Sequence, residues 1–584
     1  MTVFHKDNIK QIVEMTSLQQ GILFHVLTEP QDYYKVQVRI ELTGTVDRGA
    51  LFKSVEFLNK KYDIFRAIFL HEKLERPRQV ILKERATPFT YYDLSDQSPI
   101  GDVLDLELSK IDNLSTDPLF RVALFEHEEQ HTLVLTYHHI LMDGWSLSIV
   151  VNQLLSTYHA VSLNMEVHLS ETSSMEEYVS WLQGLDPLDS KNYWEEELRG
   201  YEPVQFISGS SDDTNPKLFR EFAVKLGLST TRFLENYART QKVSLSSLIQ
   251  TVWGILLQKY TGSTDVVFGV VTSNRPTEVE SIEEMVGLFI NTVPLRISAT
   301  PRMEVGELLW KVYRTMVETM AHVNYPLSQI QSEHDNRLFD HVLIFENYPS
   351  KLNQIKTSGL NIKQIHVKEQ TNYDINIFVF PESEEITFNF LYNSNVVSEE
   401  FIGRLAKYLT QLLSQLQVPE TILISDLEIV SDEERETILR FNEEEQTYDQ
   451  SKLVYQLIEE QAVRNPDRGA LRFNNKTMTY GELNRRANQL ARTLHSRGLQ
   501  AKERVGIVAD RSMELVVAIL AVMKAGCVYV PIDPQYPADR IAYMQANSGL
   551  RLLLAHRLLV NGLLENVDKM DLSDEELYSG DGSN

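Results

Sequence analysis

The stretch Tyr137-His138-His139-Ile140-Leu141-Met142-Asp143-Gly144-Trp145 decides how this chain is read. Before it, residues 132–137 alternate and predict a strand. After it, Ile149, Val150, Leu154 and Leu155 recur at helical spacing and predict a helix over 146–160. A dense titratable cluster thus sits in a strand-to-helix loop, where α/β proteins often place chemistry. Adjacent side chains leave an extended backbone in opposite directions, so His138 and His139 are expected to divide the work, one facing a cavity and one packing inward. Neutral imidazole, with an ordinary pKa of about 6.5, suits proton uptake near neutral pH. Asp143 is placed either to orient an imidazole or to hold the loop by pairing with a distant arginine. Gly144 permits the tight turn into the helix.

The residues alone favour a histidine acting on an amine or hydroxyl nucleophile and leave three other readings open. A metal site would need more His or Cys at matching spacing, and none is seen. A Ser-His-Asp hydrolase would need a Gly-x-Ser-x-Gly elbow, which is absent. The third reading is a purely structural loop.

The bulk numbers exclude other classes. The 584 residues exceed what one core usually organises, and 43% hydrophobic with 24% charged residues is a globular composition. Lys plus Arg number 56 against 82 Asp plus Glu, a net charge of -26, which argues against nucleic acid or an anionic membrane as main partner. The single cysteine, Cys527, rules out a disulfide framework within the chain and fits a reducing compartment. Residues 1–10 are polar, unlike a signal peptide, and the apolar window 515–530 carries Lys524 and is too short to span a bilayer. A cytoplasmic protein is expected. Neither a Gly-x-x-x-x-Gly-Lys-Ser/Thr loop nor a strand-linked Gly-x-Gly-x-x-Gly is present to cradle phosphates.

Along the chain, residues 6–14 read as a short helix-like lead. Residues 34–42 follow as a strand and 47–61 as a helix. Arg66, a charge inside Phe65-Arg66-Ala67-Ile68-Phe69, reads as a paired structural arginine, because buried charges persist only when paired. Segments 121–125 and 132–137 predict a hairpin into the opening loop, and 208–216 a polar surface excursion. A strand from 225, helices from 231 and over 245–260, and a strand over 265–272 then repeat the rhythm of the first half. Two α/β lobes of similar size are expected. Ser431 with Glu434 forms a capping-box pattern, and Glu443-Glu444-Glu445 is a solvated acidic run that marks a boundary. Beyond it, helices at 453–464, 481–497, 513–525 and 538–547 alternate with strands at 469–473, 504–508, 528–532 and 550–554. Closing glycines such as Gly498 and Gly526 complete the pattern of a mostly parallel sheet.

His138-His139-Ile140-Leu141-Met142-Asp143-Gly144 resembles the HHxxxDG signature of the chloramphenicol-acetyltransferase-like superfamily, and more narrowly the condensation domains of nonribosomal peptide synthetases. Companion motifs follow in family order over roughly the first 430 residues: 15–25; 62–69, with Tyr62 where histidine is common; Tyr178-Val179-Ser180-Trp181; Tyr193-Trp194; 268–297; 338–349; and Thr371-Asn372-Tyr373-Asp374. Residues 478–483 and 523–533 resemble the first two motifs of an adenylation domain, and the later motifs of that family are not in the sequence.

The resemblance implies two acetyltransferase-like lobes in a V, plus a partial, mostly parallel α/β adenylation subdomain. It divides the chain into an N-lobe at 1–176 with a docking-like lead, a C-lobe at 177–430, a charged linker at 431–452 and an adenylation fragment at 453–584. It implies an acyltransferase that forms an amide between a donor aminoacyl or peptidyl thioester on an upstream peptidyl carrier protein and an acceptor amine on a downstream one. His139 would be the catalytic residue, with His138 structural. Asp143 and Arg275 would form a loop-fixing salt bridge, and Gly144 and Arg66 would support the same region. No permanent cofactor is implied: 4'-phosphopantetheine arrives on the carriers, and ATP with Mg²⁺ serves only a complete adenylation domain, so this fragment is expected to be inactive in amino-acid activation. If Met1 is the native start, residues 1–14 would dock an upstream synthetase. The alternatives are an epimerisation domain, disfavoured by the adenylation-like continuation, and a non-catalytic recruiting domain of the same fold.

Overall fold

The computed structural model describes residues 5–584 except 30, 32, 94–99, 128–129, 168–173, 208–216, 335–336, 347–359, 382–384, 418–420, 443–448 and 557–566. The expected excursion at 208–216, the end of the 338–349 motif and the run Glu443-Glu444-Glu445 therefore lie outside the described residues. The chain divides into two compact units, Met1–Glu436 and Thr437–Asn584.

The first unit carries strands β1 (Ile9–Glu14), β2 (Lys35–Gly44), β3 (Ala67–Leu70), β4 (Arg78–Leu82), β5 (Phe89–Asp93), β6 (Phe120–His127), β7 (Gln130–His138), β8 (Phe219–Lys225), β9 (Asp265–Ser273), β10 (Ile290–Ser298), β11 (His341–Phe345), β12 (Leu360–Lys368), β13 (Ile375–Pro381) and β14 (Ile386–Asn393). They form a five-stranded sheet in the order β12-β2-β7-β6-β5, a six-stranded sheet β10-β9-β11-β13-β14-β8, and a small sheet β1-β4-β3. Helices α1 (Ser17–Thr28), α2 (Arg48–Lys61), α3 (Ile100–Ser109) and α4 (Gly144–Ser162) accompany the first half. Those of the second half are α5 (Met175–Gln183), α6 (Pro187–Glu197), α7 (Leu228–Gln241), α8 (Leu245–Thr261), α9 (Val305–Thr319), α10 (Leu327–Ser332) and α11 (Glu399–Gln415).

The elements follow from their sequences. Val36, Val38, Ile40 and Leu42 alternate along β2 and are all buried, and antiparallel β6 and β7 form the expected hairpin. Leu51, Val55 and Leu58 give α2 one apolar stripe, whereas α8 is buried on every side from Ser247 to Gln258, the mark of a central helix.

Three expectations are corrected. The lead at 6–14 is not a free helix: β1 pairs antiparallel with β4, with Val13 buried, so it is an integral strand rather than a docking-like appendage. A cut at 176/177 does not separate two self-contained lobes. Strand β12 crosses back to pair antiparallel with β2 along nearly its whole length, and Val286, Leu288 and Leu360 join the hydrophobic core of the first half. Finally, the strand at 469–473 is not part of the parallel sheet.

That strand, β15 (Gly469–Phe473), pairs antiparallel with β16 (Lys476–Thr479) as a two-stranded ribbon in the second unit. The rest of the unit is helices α13 (Val454–Arg464), α14 (Tyr480–Ser496), α15 (Met513–Lys524) and α16 (Ala538–Ser548) around strands β17 (Arg504–Val508), β18 (Val528–Ile532), β19 (Leu552–Ala555) and β20 (Asp568–Asp571). These four strands are wholly parallel in the order β18-β17-β19-β20. Gly526 closes α15 at φ +69°, a conformation that favours glycine. Helix α12 (Asp432–Arg440) spans the boundary between the units, and at its start the Ser431 hydroxyl accepts from Glu434 N while the Glu434 carboxylate accepts from Ser431 N, a completed capping box. Among the described residues, no helix is long and apolar enough to cross a membrane.

Candidate active site

The 138–144 loop is anchored at both ends and plugged in the middle. At its start, His138 N donates to Leu119 O (2.9 Å) and His139 N to Tyr34 O (2.7 Å). At its end, Asp143 caps α4, accepting from Ser146 N at 2.8 Å. Ile140, Leu141 and Met142 between them are fully enclosed in the first-half core. Gln19, buried in the first turn of α1, donates to Ile140 O (3.2 Å) and to Gln79 Oε1 (2.9 Å), while its own carbonyl oxygen accepts from Thr16 N.

The two histidines differ as their alternation requires. His138 is completely buried, and its Nδ1 accepts from Ile140 N at 3.1 Å. The His139 side chain keeps 9% exposure, and its Nε2 lies 2.9 Å from Glu369 Oε1, just past the end of β12. Its Nδ1 is buried without a hydrogen-bond partner of normal geometry, although its own backbone carbonyl adds slightly to the stability of the charged ring. Burial pushes the imidazole pKa down, but the facing Glu369 carboxylate outweighs it and the ring is pulled up to about 9.

Asp143 and Arg275 meet at 3.4 Å across the two halves of the unit, with side-chain exposures of 0% and 6%. Such a pair persists only when its remaining groups are bonded. Asp143 Oδ2 accepts from Phe289 N at 2.9 Å, and Arg275 donates to Ser146 Oγ (2.9 Å) and Met285 O (3.0 Å) while lying 4.3 Å over the Phe289 ring. Ser146 Oγ donates to Gly287 O (2.8 Å) and accepts from Gly287 N (3.1 Å), stitching α4 to the 285–289 segment. Gly287 is needed there: a Cβ would fall 2.7 Å from the Phe289 ring.

Arg66 is elsewhere. It pairs with Asp63 and donates to Leu82 O (3.1 Å) and Asn59 O, and no described bond ties it to the 138–144 loop. The expectation that it supports the active-site loop is corrected; its reading as a paired structural arginine agrees with these bonds. The described residues hold no cluster of three or more His, Cys, Asp or Glu suited to a metal. A cavity of about 290 Å³ lies between the start of α1 and α5, lined by Met15, Tyr178, Leu288 and Asn291 among others, and no residue of the 137–145 loop reaches it.

Sequence reasoning missed Glu369, Gln19, Ser146 and Tyr34. Glu369 stands two residues before Thr371-Asn372-Tyr373-Asp374, a stretch singled out for other reasons. That turn surrounds the histidine too: Asn372 accepts from Tyr34 OH (3.2 Å) and lies 3.2 Å from His25 Nε2.

Residues 9–439 match the Condensation domain family. The chain belongs to the condensation-domain family. After the condensation domain, residues 458–581 match the AMP-binding enzyme family over what is the start of such a domain. The whole chain is similar to peptide synthases. It is 34% identical over 597 residues to a mycosubtilin synthase of Bacillus subtilis, covering 99% of this chain and 23% of that protein. It is 34% identical over 592 residues to tyrocidine synthase 2 of Brevibacillus parabrevis, covering 98% and 16% respectively. The chain thus spans less than a quarter of either relative. Among solved structures, a four-domain nonribosomal peptide synthetase bound to AMP and glycine aligns with TM-score 0.69 at 19% identity over 97% of this chain and 45% of its own. The first condensation domain of the calcium-dependent antibiotic synthetase, in complex with a substrate analogue, aligns with TM-score 0.62 at 18% identity over 72% and 99%. These establish the fold: an α/β condensation domain followed by a partial adenylation region.

Proposed function

We propose that this condensation domain forms amide bonds between two carrier-bound thioesters, with His139 as its catalytic residue. The donor aminoacyl or peptidyl group and the acceptor aminoacyl group would each arrive on the phosphopantetheine arm of a carrier domain, one upstream and one downstream. The acceptor nitrogen attacks the donor carbonyl, the C–N bond forms and the C–S bond breaks. The leaving sulfur takes up a proton. His139 accepts or steers the proton that the nitrogen sheds. Tethering both reactants makes the step effectively unimolecular, so positioning supplies much of the acceleration. No step runs through ATP, which serves the adenylation reaction of complete synthetases.

The observation that carries this reading is the division at the histidine pair. His138 is enclosed and bonded into the loop, whereas His139 keeps partial exposure and a side chain whose Nδ1 makes no bond to the fold. Asp143, Gly144 and Arg275 are proposed to hold that loop in register.

The test uses donor and acceptor carrier domains loaded with a panel of proteinogenic aminoacyl thioesters, with products read by mass spectrometry. Wild type should place a dipeptide on the acceptor carrier, and His139→Ala should lower transfer by at least about 100-fold, the low end of general-base contributions, with the fold intact. Transfer near the wild-type rate by the variant refutes the assignment. Inverted stereochemistry without bond formation would instead make the domain an epimerase, and carrier binding with neither product a recruiter.

A further inference from the structure

Glu369 reaches His139 from 230 residues away, and the fold explains how. Strand β12 leaves the second half of the unit, pairs with β2 at the edge of the five-stranded sheet, and ends at Lys368 opposite Gln37. The next residue, Glu369, places Oε1 at 2.9 Å from His139 Nε2, with its side chain 22% exposed. Two residues on, the turn is fixed by Thr371 to Asn376 and by Asn372 to Tyr34 OH and His25 Nε2. Tyr34 also receives the His139 backbone N–H, so one frame holds both partners of the contact.

The charged surroundings of the ring are few. Glu369 bears on it from the end of β12, and Asp143 from the loop, the latter already paired with Arg275. Tyr137, on β7, is held neutral by its burial and by Glu369, Asp143 and Glu346, the last near the end of β11. His25 on α1 faces Glu29, and Lys217 pairs with Asp374. Glu369 is thus the carboxylate in direct contact with His139.

We propose that Glu369 is a positioning residue for the condensation reaction: it clamps His139 as an ion pair in the empty site and yields when the acceptor's α-ammonium competes for the same carboxylate. This inference rests on the assignment of His139 in the preceding section. A doubly protonated imidazole has no lone pair with which to take a proton. With the ring pulled up to about 9, roughly one empty site in a hundred holds neutral His139 at pH 7. A second cation beside the same carboxylate disfavours the imidazolium, since like charges in a poorly solvated site repel strongly. The acceptor's arrival therefore releases the His139 proton and creates the base. Protons balance: the ammonium sheds two in forming the amide N–H, one passing to the leaving sulfur and one to solvent through His139.

The test is a titration of His139 by NMR in the full chain carrying ¹³C-labelled histidine, the resonance assigned by its loss in His139→Gln. Wild type should titrate near 9, Glu369→Gln about 2 pH units lower, and Glu369→Asp between them. The second readout is the pH profile of single-turnover transfer between the carriers of the His139→Ala test. In Glu369→Gln its rising limb should move toward acid, and the KM for the acceptor-loaded carrier should rise. A His139 titration in Glu369→Gln within half a unit of wild type overturns the proposal. So does a uniform loss of rate with an unmoved profile, the signature of a merely structural role. The titration needs no turnover, so if His139→Ala still transfers, the base assignment fails while the clamp stands or falls on its own measurement.

Discussion

Arg275 illustrates what a buried charge requires at the scale of a residue. Desolvation pulls its pKa below the ordinary value while Asp143 opposes the fall. Removing the guanidinium leaves Asp143 buried with only backbone donors, and strips the cation from the Phe289 ring. Arg275→Met is expected to cost roughly 3–5 kcal/mol in urea unfolding, because a broken buried pair leaves an uncompensated charge. Adding Asp143→Asn should recover part of that loss, since the two residues act as one unit. A single-variant cost under about 1 kcal/mol would show that backbone donors alone satisfy the carboxylate. The motif residues 138–144 were legible as a cluster, but the residue pattern could not choose between a triad-like and a pairing role for Asp143. Glu369 was not legible at all. In Lys368-Glu369-Gln370 it reads as one more solvated acid, and only the strand crossover brings it to the histidine.

Among the elements, β1 is where local pattern and fold disagree most plainly. Ile9, Ile12 and Val13 stand at i, i+3 and i+4, a helical spacing, yet the segment is short, rich in β-branched residues and finds a ladder partner in Arg78–Leu82. Pairing decided the outcome, as tertiary context often does in short segments. Because the sheet order is β1-β4-β3, removing residues 1–14 turns β4 from a central strand into an edge carrying buried Val80, Ile81 and Leu82. Deletion is therefore expected to lower the thermal midpoint of the first unit by on the order of 5 °C and to promote aggregation. Calorimetry and light scattering on the full and shortened chains measure both. An unchanged midpoint would return the segment to the status of an appendage. The parallel strands of the second unit, by contrast, were readable in advance, because terminal glycines and short links punctuate each strand–helix step. Strand β20 was missed, a four-residue segment, Asp568–Asp571, whose alternating charges lack the apolar signature of a buried strand.

The whole molecule sorts its functions by unit. The first unit holds two hydrophobic cores, one for each half, and they do not follow a simple cut of the sequence: Val286, Leu288 and Leu360 from the second half complete the first core. A linear reading expects lobes to be contiguous, and here the crossover of β12 breaks that rule. The second unit has cores of its own, formed among others by Leu490, Val505 and Ala518, and by Val508, Ile541 and Leu553. Every group that builds the proposed site, from Gln19 and Tyr34 through His139, Asp143 and Arg275 to Glu369, belongs to the first unit. Its hydrogen bonds and ion pairs close within that unit as well. A chain ending at residue 442, which keeps helix α12 and its capping box, is therefore expected to transfer acyl groups between loaded carriers at a rate within about 3-fold of the full chain. Single-turnover kinetics on both chains, with His139→Ala as the blank, measures the difference. A loss of 100-fold or more, roughly 2.7 kcal/mol in the barrier, would mean that the second unit contributes to the reaction and that the site is not self-contained.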